Sequence, residues 1–384
     1  MTRRKTVILG AGALGLGFFG PVATAAGEVR FLDVIKKQSI VDGINLHRRY
    51  AYSIARGDDV RSAEVQNVRA AVVTDRAAVE ALSDCDLCFT AVGASNLANI
   101  APLLREAAQK RISPLVVLCG ENGVNVASFL SRLVGENENI VCGDTVAARM
   151  CRWIEECGMG YVPLFEGSAA SLVTDDTEGI PFVFPIDTAT SPTSSAKYSP
   201  SLEDYALLRS VEEGEFALLD HIKLFGHNCL HGLYAFSAAR LNMRRILEVE
   251  GSSVVRERAD RMMFGELAPA LAYHYDTAFD PIAFEAYIDQ VKSRIFSKGF
   301  NEPVARGIRG VREKLAPAER WVQAIRFVRS AGIRPTAFLE VMADIIIISS
   351  LLEEMLLENV LKNICEFTHE ETDDALSVLE PLAK

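Results

Sequence analysis

An α/β domain followed by a mostly α-helical domain is what three features of this sequence predict. β-rich runs alternate with amphipathic stretches through the first half of the chain. A glycine-rich turn, Gly10-Ala11-Gly12-Ala13-Leu14-Gly15, directly follows the first of those runs. Beyond a Ser/Thr/Pro-rich stretch at 187–201, helical periodicity takes over almost throughout. Strands alternating with helices imply a parallel sheet wound on both faces. A chain of 384 residues suits two domains, read as 1–195 and 196–384.

Taken in order, KTVILG reads as the first strand, and ALGLGFFGPVATAAG as a helix interrupted at Pro21. EVRFLDV is the second strand, and VRAAVV, CDLCFTAV, PLVVLCG and NIVCGDT follow with helices such as ANIAPLLREAAQKR between them. Strand signals continue in GYVPLF, ASLVTD and FVFPI, so the sheet is expected to extend to about residue 186. Hydrophobic residues at 49% and charged residues at 24% support a core of ordinary size. No internal repeat is present.

Composition also narrows the partners. A formal net charge of −11 disfavours nucleic acid and anionic membrane surfaces. MTRRKTVILG resembles the start of a signal peptide, but the apolar run enters the glycine turn with no small-residue cleavage site. The long apolar stretch FLEVMADIIIISSLLEEMLL carries Glu340, Asp344, Glu353 and Glu354, which suits a core helix and not a membrane span. The cytoplasm is the expected location. Eight scattered cysteines, with Cys85 and Cys88 forming a lone CxxC, read as buried thiols.

The glycine turn carries the first chemistry. Gly10 permits a tight turn, Gly12 lets backbone approach a pyrophosphate, and Gly15 lets helix and strand pack closely. Ala11, Ala13 and Leu14 complete this turn as cofactor-binding residues at a helix start, where unpaired N–H groups favour an anion. Asp33 ends the second strand 18 residues past Gly15, where a carboxylate accepts hydrogen bonds from ribose hydroxyls and repels a 2′-phosphate. A Rossmann-type domain binding NAD is the expectation, with Arg30 and Lys36 close enough to soften the discrimination. Thr90, Val92 and Gly93 follow a later strand and are expected near the nicotinamide ribose. Glu121 and Asn122 end the next strand and are expected to face nicotinamide and substrate.

HIKLFGHNCLH, residues 221–231, holds three of the six histidines. At about 100° per residue, counting from Lys223, His227 falls near 40°, His231 near 80° and Asn228 near 140°. His221 points elsewhere, to the surface. Gly226 and Gly232 permit close approach of another backbone or a ligand. An ammonium on this face repels zinc, whereas alcohol oxidation needs a base. A desolvated lysine acts as one, with Asn228 and His231 donating to the developing alkoxide. A polar helix face in water remains the plain alternative.

The pattern Lys223-x4-Asn228-x2-His231 resembles that of the polyol-specific long-chain dehydrogenases. VILGAGALGLGFFG, NVRAAVVTDRAAVEALSDCDLCFTAVGASNLANIAPLL and LCGENGVNVASFL are similar to segments of the mannitol-1-phosphate branch of that family, and the length is similar. The resemblance implies Lys223 as general acid/base, Asn228 and His231 around the reacting oxygen, Asn122 at the substrate, no metal, and a monomer. It implies a sugar alcohol such as mannitol 1-phosphate and its ketose, fructose 6-phosphate, as substrates. Ala148 replaces the aspartate of the family's Val-Asp-Arg, although Arg149 remains as a substrate residue. SKGFNEP stands where the family has R-F-x-N-P, without the arginine, and VARGIRGVREKL is shorter than the family's segment. In that segment Arg306, Arg309, Arg312 and Lys314 form either a phosphate pocket, with Arg309 and Arg312 as the contacts, or a solvated face. Other readings stay open: a mannitol- or hexuronate-type reductase on an unphosphorylated sugar, a β-hydroxyacid, ketopantoate or opine-type reductase, and a noncatalytic NAD-binding regulator.

Overall fold

The computed structural model describes residues 4–135, 139–154, 160–176, 182–185 and 208–383. The chain divides into two compact units, Met1–Ala217 and Leu218–Lys384. The expected division at residue 195 falls within 186–207, outside the described residues.

The first unit is built on strands β1 (Arg4–Leu9), β2 (Gly27–Asp33), β3 (Arg49–Arg56), β4 (Asp59–Gln66), β5 (Val68–Val72), β6 (Leu87–Thr90), β7 (Leu115–Cys119) and β8 (Ile140–Asp144). Six of them form one sheet in the order β5-β2-β1-β6-β7-β8, every pair parallel. This is the doubly wound order with a reversal between β1 and β6.

The period-2 alternation of the strands sorts their side chains into two cores. Val7, Leu9, Leu32, Leu115 and Val117 point to one face with Leu82, Leu97, Leu104 and Leu130. Those residues come from helices α1 (Arg76–Asp84), α2 (Leu97–Gln109) and α3 (Val126–Val134). Ile8, Phe31, Phe89, Val116 and Leu118 point to the other face with Leu16, Phe19, Val41 and Ile44. Each fully buried Leu, Ile or Phe contributes roughly 1.5–3 kcal/mol, so both layers are needed to close the sheet.

Two expectations about this unit need correction. The sheet does not extend past β8. Strands β9 (Cys151–Ile154) and β10 (Ser171–Asp175) join β3 and β4 in a separate sheet, ordered β4-β3-β10-β9. GYVPLF contributes only an isolated bridge at Pro163, and Phe182–Pro185 pairs with Leu208–Val211. Nor does Pro21 interrupt the helix. Gly15–Phe19 forms a π-helical turn that runs on into α-helix at Gly20–Thr24. Gly20 N–H bonds the carbonyl of Gly15, five residues back, so Pro21 without an N–H leaves Leu16 O unpaired. The buried Tyr50 hydroxyl donates to that carbonyl at 2.7 Å.

The second unit is helical among its described residues. Helix Thr336–Ile348 buries nearly every side chain from Ala337 to Ile346, as its apolar run requires, and no helix of the described residues is long and apolar enough to cross a membrane. Cys85 and Cys88 are buried, and burial pushes the Cys85 thiol up to about 12, out of reach of redox chemistry near neutral pH.

Candidate active site

The candidate nucleotide turn of the first unit lies at the carboxyl ends of the parallel strands. Gly10 has φ +105°, and a Cβ there would meet Ala91 O at 2.4 Å. A Cβ at Gly15 would lie 1.9 Å from Gly10 O, so this glycine sets how closely helix and strand approach. At Gly12 a Cβ meets nothing within 4 Å, which leaves the space a pyrophosphate needs above the turn. The turn is locked to its neighbours, since Gly10 N–H bonds Leu32 O at 2.8 Å and Leu16 N–H bonds Gly12 O at 2.9 Å. Ala13 and Leu14 are half-buried at the helix start.

Asp33 faces this turn as expected from its spacing. Its Oδ2 accepts the Ala11 N–H at 2.7 Å and its Oδ1 accepts the Val34 N–H at 2.7 Å. Each oxygen keeps lone pairs for a hydroxyl donor, and the two backbone bonds orient them.

The loops after β6 and β7 differ from expectation. Glu121 does not face outward. It is buried at 7% exposure, accepts the Thr90 hydroxyl on Oε2, and accepts the Val92 N–H on Oε1 at 2.9 Å. Burial raises its carboxyl pKa, while the Thr90 and Val92 hydrogen bonds oppose the rise. Thr90 is fully buried, so it braces Glu121 and does not line the cofactor space. Val92 is half-buried, Gly93 (φ +85°) and Asn122 are exposed, and those three remain on the accessible rim. Arg149 lies over the Phe18 ring at 5.0 Å and donates to Gly17 O at 3.5 Å, against the π-helical turn that follows the glycines.

The candidate acid–base residues lie in the second unit. Ile222–Asn228 is π-helical and runs into α-helix Cys229–Arg240. The 100° wheel therefore misplaces part of the stretch. A π turn closes over five residues, so the spacing from Lys223 to Asn228 is one such turn, and Asn228 to His231 is an α-type i,i+3 step. The Cys229 thiol donates to Leu224 O, five residues back, at 3.5 Å.

Lys223 is 4% exposed. Burial lowers its ammonium pKa to about 8, with Asp220 opposing and Arg320 assisting. Asn228 is half-buried, and its buried Nδ2 has no hydrogen-bond partner among the described residues. A buried amide left so is the exception in folded proteins and has a donor to spare for a water or ligand oxygen. His231 Nε2 lies 2.8 Å from Glu302 Oε2, and Glu302 also pairs with Arg306. His227 is buried beside Tyr287, whose hydroxyl is 3.5 Å from Nδ1. Burial holds His227 well below its ordinary pKa, followed by the charges of Arg294, His231, Lys223 and Arg320. This neutral ring and the nearby cations suit an oxyanion and oppose a divalent metal.

Two further expectations are overturned here. His221 is not at the surface. It stacks on Phe225 at 4.8 Å, and its Nδ1 lies 2.6 Å from the Tyr275 hydroxyl; burial lowers its pKa to about 4, with His274 adding to the shift. Gly232 admits an aromatic ring and not a ligand: a Cβ there would sit 2.7 Å from Trp321. In the basic segment, Arg312 pairs with Glu354 and donates to Ser349 O at 3.4 Å, Arg306 is held by Glu302, and Lys314 donates to Arg309 O. Arg309 is exposed.

A profile of the mannitol dehydrogenase Rossmann domain matches residues 4–158. The N-terminal domain belongs to the mannitol dehydrogenase family. The likeness continues beyond that domain. Mannitol-1-phosphate 5-dehydrogenase of Shouchella clausii is 26% identical over 352 residues, covering 88% of this chain and 87% of that enzyme. Mannitol 2-dehydrogenase of Pseudomonas fluorescens, solved as a ternary complex with NAD and D-mannitol, superposes with a TM-score of 0.76 at 10% identity, covering 100% of this chain and 91% of that one. A substrate-free D-sorbitol dehydrogenase gives 0.70 at 12% identity, covering 100% and 93%. Beyond the matched domain, the chain is similar to mannitol dehydrogenases over most of its length.

Sequence reasoning passed over Glu302, Arg294, Arg320 and Asp220 around Lys223 and His231. Arg294 is 8% exposed and acts on His227 from helix Pro281–Ile295, three residues before SKGFNEP begins.

Proposed function

We propose that this mannitol dehydrogenase relative is an NAD-dependent polyol dehydrogenase that interconverts a sugar alcohol and its ketose, with mannitol 1-phosphate and fructose 6-phosphate as the favoured pair. The buried Lys223, drawn down to about 8 beside the unpartnered amide of Asn228, is the observation that carries this reading. Bound NAD would supply a hydride acceptor, and the open space over Gly12, the N–H groups of the turn beyond Gly10 and Ala11, and the Asp33 oxygens would hold it. Val92, Gly93 and Asn122 are the rim residues available to its nicotinamide end. Lys223 Nζ takes the hydroxyl proton in oxidation and returns it in reduction. Asn228 Nδ2 donates to the substrate oxygen as negative charge grows there. General acid–base catalysis of this kind contributes about 10²- to 10⁴-fold.

The curated relatives support a phosphorylated substrate. The Arg312–Glu354 pair favours a second reading, an unphosphorylated polyol, because it occupies one of the two arginines expected to hold phosphate. A panel of mannitol 1-phosphate, mannitol, fructose 6-phosphate, fructose and 2-keto acids, assayed with NAD or NADH, separates the readings. Turnover of the phosphorylated pair alone supports the first. Turnover of only 2-keto acids, or of nothing in the panel, rejects the polyol assignment.

A further inference from the structure

Glu302 is a carboxylate that the active-site reading does not use. Its side chain is 2% exposed, and its two oxygens face different partners, Arg306 on Oε1 and the His231 ring on Oε2. Removing a carboxylate from water costs several kcal/mol unless charged partners replace the solvent. Burial by itself would raise this carboxyl pKa; a protonated His231 ring and then Arg306 reverse that and lower it to about 2. With His231 neutral, the Arg306 guanidinium is the charge that keeps Glu302 an anion.

An ionised carboxylate can only accept. The proton in the 2.8 Å contact therefore belongs to His231 Nε2. The partner of one ring nitrogen decides which nitrogen carries the proton in a neutral imidazole. No hydrogen bond reaches His231 Nδ1 among the described residues, and the His231 side chain is 19% exposed against 2% for Glu302. Nδ1 is the ring atom left for a ligand.

From this geometry we infer that Glu302 is a positioning residue, which keeps the proton of neutral His231 on Nε2 and so presents Nδ1 as a hydrogen-bond acceptor to the substrate. The inference rests on the reading of His231 as a substrate contact, and it changes that residue's role. A neutral His231 accepts, through Nδ1, the hydrogen bond of a substrate hydroxyl next to the reacting one, whereas Asn228 donates through Nδ2 to the reacting oxygen. The reacting hydroxyl keeps its own proton for Lys223. Glu302 stands in the FNEP sequence that departs from the family pattern, so this device belongs to the departure itself. The same logic holds a catalytic imidazole in its working tautomer wherever a buried carboxylate faces one ring nitrogen.

The full-length chain, labelled with ¹⁵N at its six histidines, tests this directly. Long-range ¹H–¹⁵N spectra are recorded at a pH where His231 is neutral, and its signals are assigned by their loss in His231→Gln. The expected result is a protonated Nε2 and an unprotonated Nδ1. In Glu302→Gln, whose amide tolerates either tautomer, the Nε2–H population falls and kcat drops about 10- to 100-fold with little change in KM, the range typical of partners one step behind a functional imidazole. A proton on Nδ1 in the unsubstituted chain overturns the inference, even if Glu302→Gln does not fold. So does a Glu302→Gln chain with unchanged tautomer and unchanged kcat. The spectrum needs no substrate, so inactivity toward every polyol would reject the proposed function while leaving the tautomer result to stand.

Discussion

The nucleotide turn of the first unit and the Lys223 stretch of the second do comparable work with opposite materials. Residues 10–15 act through backbone: a left-handed φ at Gly10, a close approach at Gly15 and open space over Gly12. Residues 223–231 act through side chains whose chemistry depends on what surrounds them. In the proposed mechanism Lys223 serves as a base near neutral pH because burial outweighs Asp220, and His231 takes its tautomer from the facing Glu302. A backbone site tolerates change around it and fails when a glycine is replaced. A side-chain site fails when a distant neighbour is replaced.

Three substitutions break or sharpen that contrast. The largest effect is expected at Lys223. Lys223→Met should lower kcat by about 10²- to 10⁴-fold while NADH still binds, as read by steady-state rates and fluorescence titration. In the unsubstituted chain, oxidation needs the neutral amine, so its rate should rise with pH and level off above about 8. Reduction needs the ammonium and should fall through the same region. A flat profile in both directions, or a Met variant with normal turnover, removes Lys223 from the mechanism.

An intermediate effect is expected on the nucleotide side. Asp33→Ala removes the acceptor for ribose hydroxyls and the charge that opposes a 2′-phosphate. NAD binding should weaken by about 10-fold or more, the equivalent of about 1.4 kcal/mol, and preference over NADP should narrow. Equal affinities before and after the change would show that Asp33 serves only the Ala11 and Val34 N–H groups.

The smallest effect is structural. Tyr50→Phe leaves the Leu16 carbonyl, already without the N–H of Pro21, buried and unpaired. A loss of about 1–3 kcal/mol is expected in denaturant unfolding. An unchanged midpoint would mean that the π-helical turn finds another donor.

The contrast also explains what was legible. The glycine turn, Asp33 and the alternating strands could be read because each depends on neighbours close in sequence. Lys223, Asn228 and His231 were legible as a spacing, although the helix type was not, since a π turn differs from an α turn only by one inserted residue. The hairpin of β3 and β4 had a local signal that was passed over: Gly57-Asp58 between two alternating runs, with Gly57 at φ +57°. Glu302 had none, because it lies 71 residues from His231 and reaches it through packing. Thr90 and Glu121 were read as rim residues because both end strands; which way each side chain turned depended on a contact 31 residues long.

Local chemistry alone was enough to specify the doubly wound sheet and the glycine turn, because strand alternation and glycine geometry are properties of short segments. Tertiary packing decided the protonation of Lys223, the inward turn of Glu121 and the carboxylate on His231. Those depend on local dielectric and on partners far along the chain, and neither exists until the chain has folded.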